Sequence, residues 1–158
     1  MRCAALAALA LFAGKTYAAD AVYMTREQAV AWSLPGAQAV VTNPVEATSR
    51  TILLTGLVDG HVTGHAALID EIGKHMPITF VVALAPDGSI RDMDVAVYRE
   101  RIGGAVRNRS FLDQFKGKRR GDGLKIGKDI DGISGATLSA MAAERAARRA
   151  LDLSKKLP

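Results

Sequence analysis

The densest chemistry in this chain lies in one short stretch, Asp131-Gly132-Ile133-Ser134-Gly135-Ala136-Thr137-Leu138-Ser139. It holds a carboxylate, three hydroxyls and two glycines, and it leads straight into a helical pattern. From Leu138 to Leu153, Glu144, Arg145, Arg148, Arg149 and Asp152 fall in one arc of a helical wheel. Ala142, Ala143, Ala146, Ala147, Ala150, Leu151 and Leu153 fill the other. The first N–H groups of such a helix have no internal acceptor, and the helix dipole adds partial positive charge there. A phosphate is well placed at that point, with Gly135 allowing close approach and Ser134, Thr137 and Ser139 supplying hydroxyls. The plainer reading of the same residues is that Ser134 or Thr137 caps the helix.

Other residue types carry less. His61, His65 and His75 lie close in sequence, and on a regular strand His61 and His65 would face the same way. No cysteine accompanies them and no tetrahedral ligand set is apparent, so no metal site is expected. Tyr98, Phe111 and Phe115 have the spacing of core residues, with Tyr98 the one that could also stack on a flat ligand. Lys74 precedes a buried strand and is either solvated or aimed at an anion. No Ser-His-Asp order, paired carboxylates or phosphate-binding glycine loop marks a hydrolase or kinase, and no catalytic residue is assigned.

The basic run Lys116-Gly117-Lys118-Arg119-Arg120 has no interleaved aromatic residues for base stacking, so nucleic acid is not an expected partner. It reads as a solvated loop, or as a docking element for an acidic partner or a cofactor phosphate. The only cysteine is Cys3. It lies in an N-terminal segment with the pattern of an export signal: Arg2, an apolar run from Cys3 to Ala13, and small residues at Thr16 and Ala18. Cleavage is expected after Ala18, which leaves residues 19–158 as one domain. The chain's formal charge of +5 drops to +3 without Arg2 and Lys15. No later stretch is long and apolar enough to span a bilayer, so no integral membrane segment is expected.

The elements that must position residues 131–139 are legible in outline. Thr25-Arg26-Glu27-Gln28 has capping-box spacing and should open a helix running to about Ser33, stopped by Leu34-Pro35-Gly36. Residues 37–49 are ambiguous. Strands are expected at 51–58, 61–69, 77–85 and 90–98, with turns at Asp59-Gly60 and Pro86-Asp87-Gly88. Consecutive hairpins predict an antiparallel sheet. Ser110 is a candidate cap for a short helix that puts Phe111 and Phe115 on one stripe. Residues 116–136 read as a long loop, a feature that is usually functional. The expected class is α+β: an antiparallel β-sheet packed by helices, with the C-terminal helix presenting Thr137 at its N-terminus.

The pattern Asp131-x-x-Ser134-Gly135-Ala136-Thr137 resembles the flavinylation motif of FMN-binding domains, as in the flavin-carrying subunits of sodium-pumping NADH:quinone reductases and Rnf complexes. The resemblance extends to Gly73-Lys74-His75-x-Pro77-Ile78-Thr79, to Tyr98-x-Glu100, and to Phe111-x-x-Gln114-Phe115-x-Gly117-Lys118. It is clearest over residues 60–153. It implies FMN held by a phosphoester to Thr137, with Asp131, Ser134, Gly135, Ala136 and Leu138 around the attachment point and Lys74, Tyr98 and Glu100 on the cofactor side. Where large-complex members have Glu-Thr-Pro-Gly, this chain has Glu100-Arg101-Ile102-Gly103. The resemblance further implies a periplasmic electron-transfer protein, a flavin transferase that attaches the FMN, and a membrane or exported redox partner. The alternatives are a small periplasmic flavin-dependent reductase and a non-redox binding module.

Overall fold

The computed structural model describes residues 20–45 and 50–157. The expected export signal and its cleavage point lie outside the described residues. Six strands form one antiparallel sheet: β1 (Ala21–Val22), β2 (Ala39–Asn43), β3 (Thr51–Val58), β4 (His61–Ile72), β5 (Pro77–Leu84) and β6 (Ile90–Tyr98). Their order is β1-β6-β5-β4-β3-β2, so hairpins run consecutively from β2 to β6, and β1 closes on the free edge of β6. Among the described residues three α-helices accompany the sheet: α1 (Arg26–Ser33), α2 (Arg109–Leu112) and α3 (Thr137–Leu153).

Each tight hairpin follows from its turn residues. Asp59 and Gly60 both take positive φ, 50° and 79°, as a two-residue turn between β3 and β4 demands. The Pro86-Asp87-Gly88 turn is braced by Asp87, which accepts from the Ser89 N–H at 3.0 Å and the Ser89 hydroxyl at 2.6 Å. The ambiguous stretch after α1 contains β2. Its β-branched residues Val40, Val41 and Thr42 pair with β3 and form the exposed edge of the sheet.

Alternation along the strands sorts the core into two layers. On one face, Leu53, Ala67, Ile69, Phe80, Val82, Met93 and Val95 pack against α3 and the segment around α2. On the other, Leu54, Ala66, Leu68 and Val81 pack against Ala29 and Leu34 at α1. The capping box is present, with the Gln28 N–H donating to the Thr25 hydroxyl and the Thr25 N–H to the Gln28 side chain. The alanine face of α3 is fully buried from Ala140 to Ala150, which lets the helix axis lie close to β4 and β5.

Three expectations are corrected here. A register shift between Gly56 and Leu57 in the β3–β4 hairpin breaks the alternation between His61 and His65. His61 is exposed, whereas His65 is buried and bonded to the Thr55 hydroxyl at 2.9 Å. The N-cap of α2 is Asn108, not Ser110, and no side chain caps that helix. Finally, β4 runs three residues further than expected, to Ile72.

Burial holds the His65 imidazole below its ordinary value of 6.5. An unfolded chain therefore takes up a proton near that pH that the folded chain does not. Stability is full above about pH 6.5 and falls as pH drops below it. Urea midpoints measured at about pH 7.5 and pH 5.5 should show this loss, and His65→Gln should flatten it. An unchanged slope in the variant would assign the effect to other groups.

Candidate functional site

The segment 131–137 ends on the first residue of α3. The N-cap position is Ala136, and no side chain bonds to the exposed helix start. The capping role available to Ser134 or Thr137 is therefore not taken. Ala136 donates its own N–H to the Ile133 carbonyl at 3.0 Å, closing a turn in which Gly135 adopts φ 77°. Among the described residues no acceptor reaches the N–H groups of Thr137, Leu138 or Ser139. No acidic residue stands in the first turn. Thr137 itself is exposed. A free hydroxyl thus stands beside three free N–H donors at the positive end of a 17-residue helix, the set a phosphate needs.

Two loops are tied to this helix start. Tyr98 ends β6 with its ring buried and its hydroxyl committed. It donates to the Ile102 carbonyl at 2.6 Å and lies 3.1 Å from the Ser139 hydroxyl. Burial, the largest influence, raises the Tyr98 phenol above its usual range, and the Ser139 hydrogen bond offsets this only in part. Gly103 sits against the same pair with φ 103°, and a Cβ there would come within 2.7 Å of both hydroxyls. Only glycine fits, so the survival of this glycine in the Glu100-Arg101-Ile102-Gly103 loop has a steric reason. The hydroxyl of Tyr98, rather than its ring face, is what reaches the site. Phe111 and Phe115 are core residues, packed edge to face with centroids 5.5 Å apart.

Glu100 holds the second loop. Its Oε1 accepts from three consecutive backbone N–H groups, those of Lys74 and His75 at 2.5 Å each and of Met76 at 2.9 Å. Burial pushes its carboxyl up, but these three donors together prevail and hold it below its ordinary value. Lys74 is exposed on this hairpin, at the same end of the molecule as Thr137. Glu100→Ala would strand three donors at a partly solvated junction, at a cost of about 1–3 kcal/mol. Because its folded pKa is depressed, the stability Glu100 contributes is present above about pH 4.5 and is lost as pH falls through the folded value. Thermal melts of wild type, Glu100→Gln and Glu100→Ala should rank in that order at neutral pH and converge in acid.

Around Thr137 the surface is unexpectedly apolar. Ile102 is 81% exposed, and Leu138 and Met141 are 47% and 43% exposed. Leu138 and Met141 lie one turn apart on α3. Further along the helix, Arg145 donates to the carbonyl of Ile72, another exposed apolar residue. A flat ring system would cover side chains of this kind. Hydroxyl, helix donors and apolar rim together fit a flavin phosphate.

A family model described as the FMN-binding domain matches residues 73–152, about half of the chain. The chain belongs to the FMN-binding domain family. The match begins at the Glu100-bound hairpin and ends near the close of α3, so it takes in the whole site. No curated protein matches. Among solved structures, the crystal structure of Shewanella oneidensis NqrC is similar at 19% identity, covering 79% of this chain and 73% of its own, with a TM-score of 0.48.

In this FMN-binding domain the basic run fits the solvated-loop reading better than the reading as a cofactor-phosphate or docking element. Gly117 and Lys118 bond the backbone of Ile90, at the start of β6, whereas Thr137 stands near Tyr98, at its end. Eight strand steps at about 3.3 Å each make β6 roughly 26 Å long, and Gly117 and Lys118 lie by the end of it away from Tyr98. Lys116 is paired with Asp113 at 2.9 Å and Asp92 at 3.5 Å, and Arg119 with Asp87 at 2.7 Å. Much of its charge is neutralised locally. The loop from 116 to 136 is also more ordered than its composition suggests. Ile126 bridges Ile130, the Ile126 N–H donates to Glu144 at 2.9 Å, and Asp129 accepts from the Lys125 N–H at 3.0 Å. Among the described residues no cluster of three or more His, Cys, Asp or Glu could hold a metal. No helix there is long and apolar enough to cross a membrane.

Proposed function

We propose that this protein is an exported electron carrier with FMN attached through a phosphoester to Thr137. The observation that carries the reading is the exposed Thr137 hydroxyl at an uncapped helix start, within the motif Asp131-x-x-Ser134-Gly135-Ala136-Thr137 of an FMN-binding domain. When bound, FMN supplies reversible electron uptake, and the protein supplies attachment, orientation and surroundings. Thr137 is the attachment point. The N–H groups of Leu138 and Ser139 neutralise phosphate charge, and Gly135 and Ala136 keep side chains away from it. Tyr98 and Glu100 hold the loops that carry Ile102 and Lys74 to the same end. Leu138 and Ile102 shield one edge of the site from water.

Covalent attachment suits a carrier outside the cytoplasm, because released FMN would be lost. Export is supported by the Arg2, apolar-run and Ala18 pattern. A mature end at Ala19 would also keep every described element: β1 begins at Ala21, and Asp20 is paired with Arg99 at 3.4 Å. The partners of this reading are a flavin transferase and a membrane or exported redox protein. One measurement tests it. Protein co-expressed with a flavin transferase in an exporting bacterium should show an intact mass lacking residues 1–18 and gaining FMN less one water. An unprocessed or unmodified chain would reject the corresponding half.

A further inference from the structure

Gln114 lies in a single 3-10 turn, Asp113–Phe115, that is nailed to the core by buried Phe115 and its neighbour Phe111. Its side-chain amide bonds both backbone groups of one residue. The Asp131 N–H donates to Oε1 at 2.7 Å, and Nε2 donates to the Asp131 carbonyl at 3.4 Å. A side-chain amide thus replaces the neighbouring strand that this residue lacks. Asp131 is the first residue of the attachment motif. At the motif's other end, the first turn of α3 is tied down through Ser139 and Tyr98. Between these two anchors Gly132, Ser134 and Gly135 are exposed and Ile133 is half-buried.

We propose that Gln114 is a positioning residue for flavin attachment. It fixes the entry of the 131–137 strap, so that the strap meets the transferase in one conformation with the Thr137 hydroxyl at a set place. This rests on the attachment reading above. In that step the Thr137 hydroxyl oxygen displaces a nucleoside monophosphate from the flavin phosphorus of a flavin dinucleotide. One O–P bond forms, the phosphoanhydride O–P bond breaks, the hydroxyl proton passes to solvent, and nothing is oxidised or reduced. Without Gln114 the strap samples many conformations, and few of them present the hydroxyl in line. Misplacement by about an ångström lowers such rates by up to about a hundredfold.

The test uses folded flavin-free protein, a purified flavin transferase, a flavin dinucleotide and Mg²⁺, with initial rates of adduct formation followed by intact mass. Gln114→Ala and Gln114→Asn should lower kcat/KM for the protein substrate by about tenfold to a hundredfold, at an unchanged Tm. Gln114→Glu keeps the acceptor and loses the donor at neutral pH, so its rate should fall between. Hydrogen exchange at the Asp131 amide, read on the flavin-free protein, should be slow in wild type and Gln114→Glu and fast in Gln114→Ala. If the Ala variant fails to fold, the isosteric Glu variant carries the test. Wild-type protein that accepts no flavin would overturn the attachment reading and this inference together. Modification of wild type and Gln114→Ala at equal rates, or Asp131 exchange indifferent to the substitution, would overturn the positioning role alone.

Discussion

Thr137→Ala is expected to abolish the FMN adduct altogether, while Thr137→Ser retains it at a reduced rate. The argument is one of nucleophile geometry. Three hydroxyls lie near the helix start, but Ser139 is buried and held against Tyr98, so it cannot approach a flavin phosphate. Ser134 is exposed but lies within the turn from Ile133 to Ala136, three residues upstream of Thr137 and off the helix. Only Thr137 combines exposure with the free N–H groups of the helix. The Ala variant should fold normally, because Thr137 caps nothing and alanine is the better helix former by about 0.5 kcal/mol. Loss of the adduct would then report chemistry rather than damage. Serine keeps the nucleophile but loses the methyl that restricts its rotamers, so fewer side chains point correctly at any moment. Intact mass, and flavin absorbance retained after denaturation, measure both variants. An adduct that persists on the Ala variant, at Ser134 or elsewhere, would remove Thr137 from the role.

Much of this site was legible because its determinants are local. The capping box at Thr25 and the Asp59-Gly60 and Pro86-Asp87-Gly88 turns each specify one conformation through nearby residues, and each appears as read. The helix over Thr137–Leu153 was legible for the same reason, since its alanine face repeats with helical period. What escaped was set by distant partners. Nothing in the spacing of His61 and His65 announces a bulge, which arises from pairing with β3. Strand β2 was hidden because five residues with no polar alternation identify a strand only once β3 lies beside them. The basic run reads in sequence as a solvated loop or a docking element, and its place by the Ile90 end of β6, away from Tyr98, comes from backbone bonds to Ile90 that spacing does not show. Gln114 was visible as part of a pattern, but its bond to Asp131 joins residues 17 apart and exists only in the folded chain.

The flavin-loaded protein is expected to be reduced quickly by small artificial donors and to turn over free NADH or NADPH at least about a hundredfold more slowly, a difference of roughly 2.7 kcal/mol in barrier. A nicotinamide reductase needs a second pocket that stacks its substrate on the flavin. A groove of about 420 Å³ is lined by Glu71 of β4, by Arg145, Arg148, Arg149, Asp152 and Leu153 on the later turns of α3, and by Lys156. None of its lining residues belongs to the 131–141 segment. The surface at Thr137 instead offers Ile102, Leu138 and Met141, an exposed apolar rim suited to close approach of another protein. Electrostatic steering of that approach must come from nearby charge. Lys118 lies by the far end of β6, a strand roughly 26 Å or about three screening lengths long at physiological salt, and Arg119 and Arg120 follow it. Lys74 and Arg101 are exposed at the correct end and make no ion pair among the described residues. Changing Lys74 and Arg101 to Ser should therefore flatten the salt dependence of electron exchange with an acidic partner. Changing Lys118, Arg119 and Arg120 to Ser should leave it nearly as it was. Stopped-flow exchange rates across a salt series would decide between them. The opposite ranking would return the basic run to the docking face, and saturable, fast oxidation of NADH by the isolated protein would replace the carrier with a reductase.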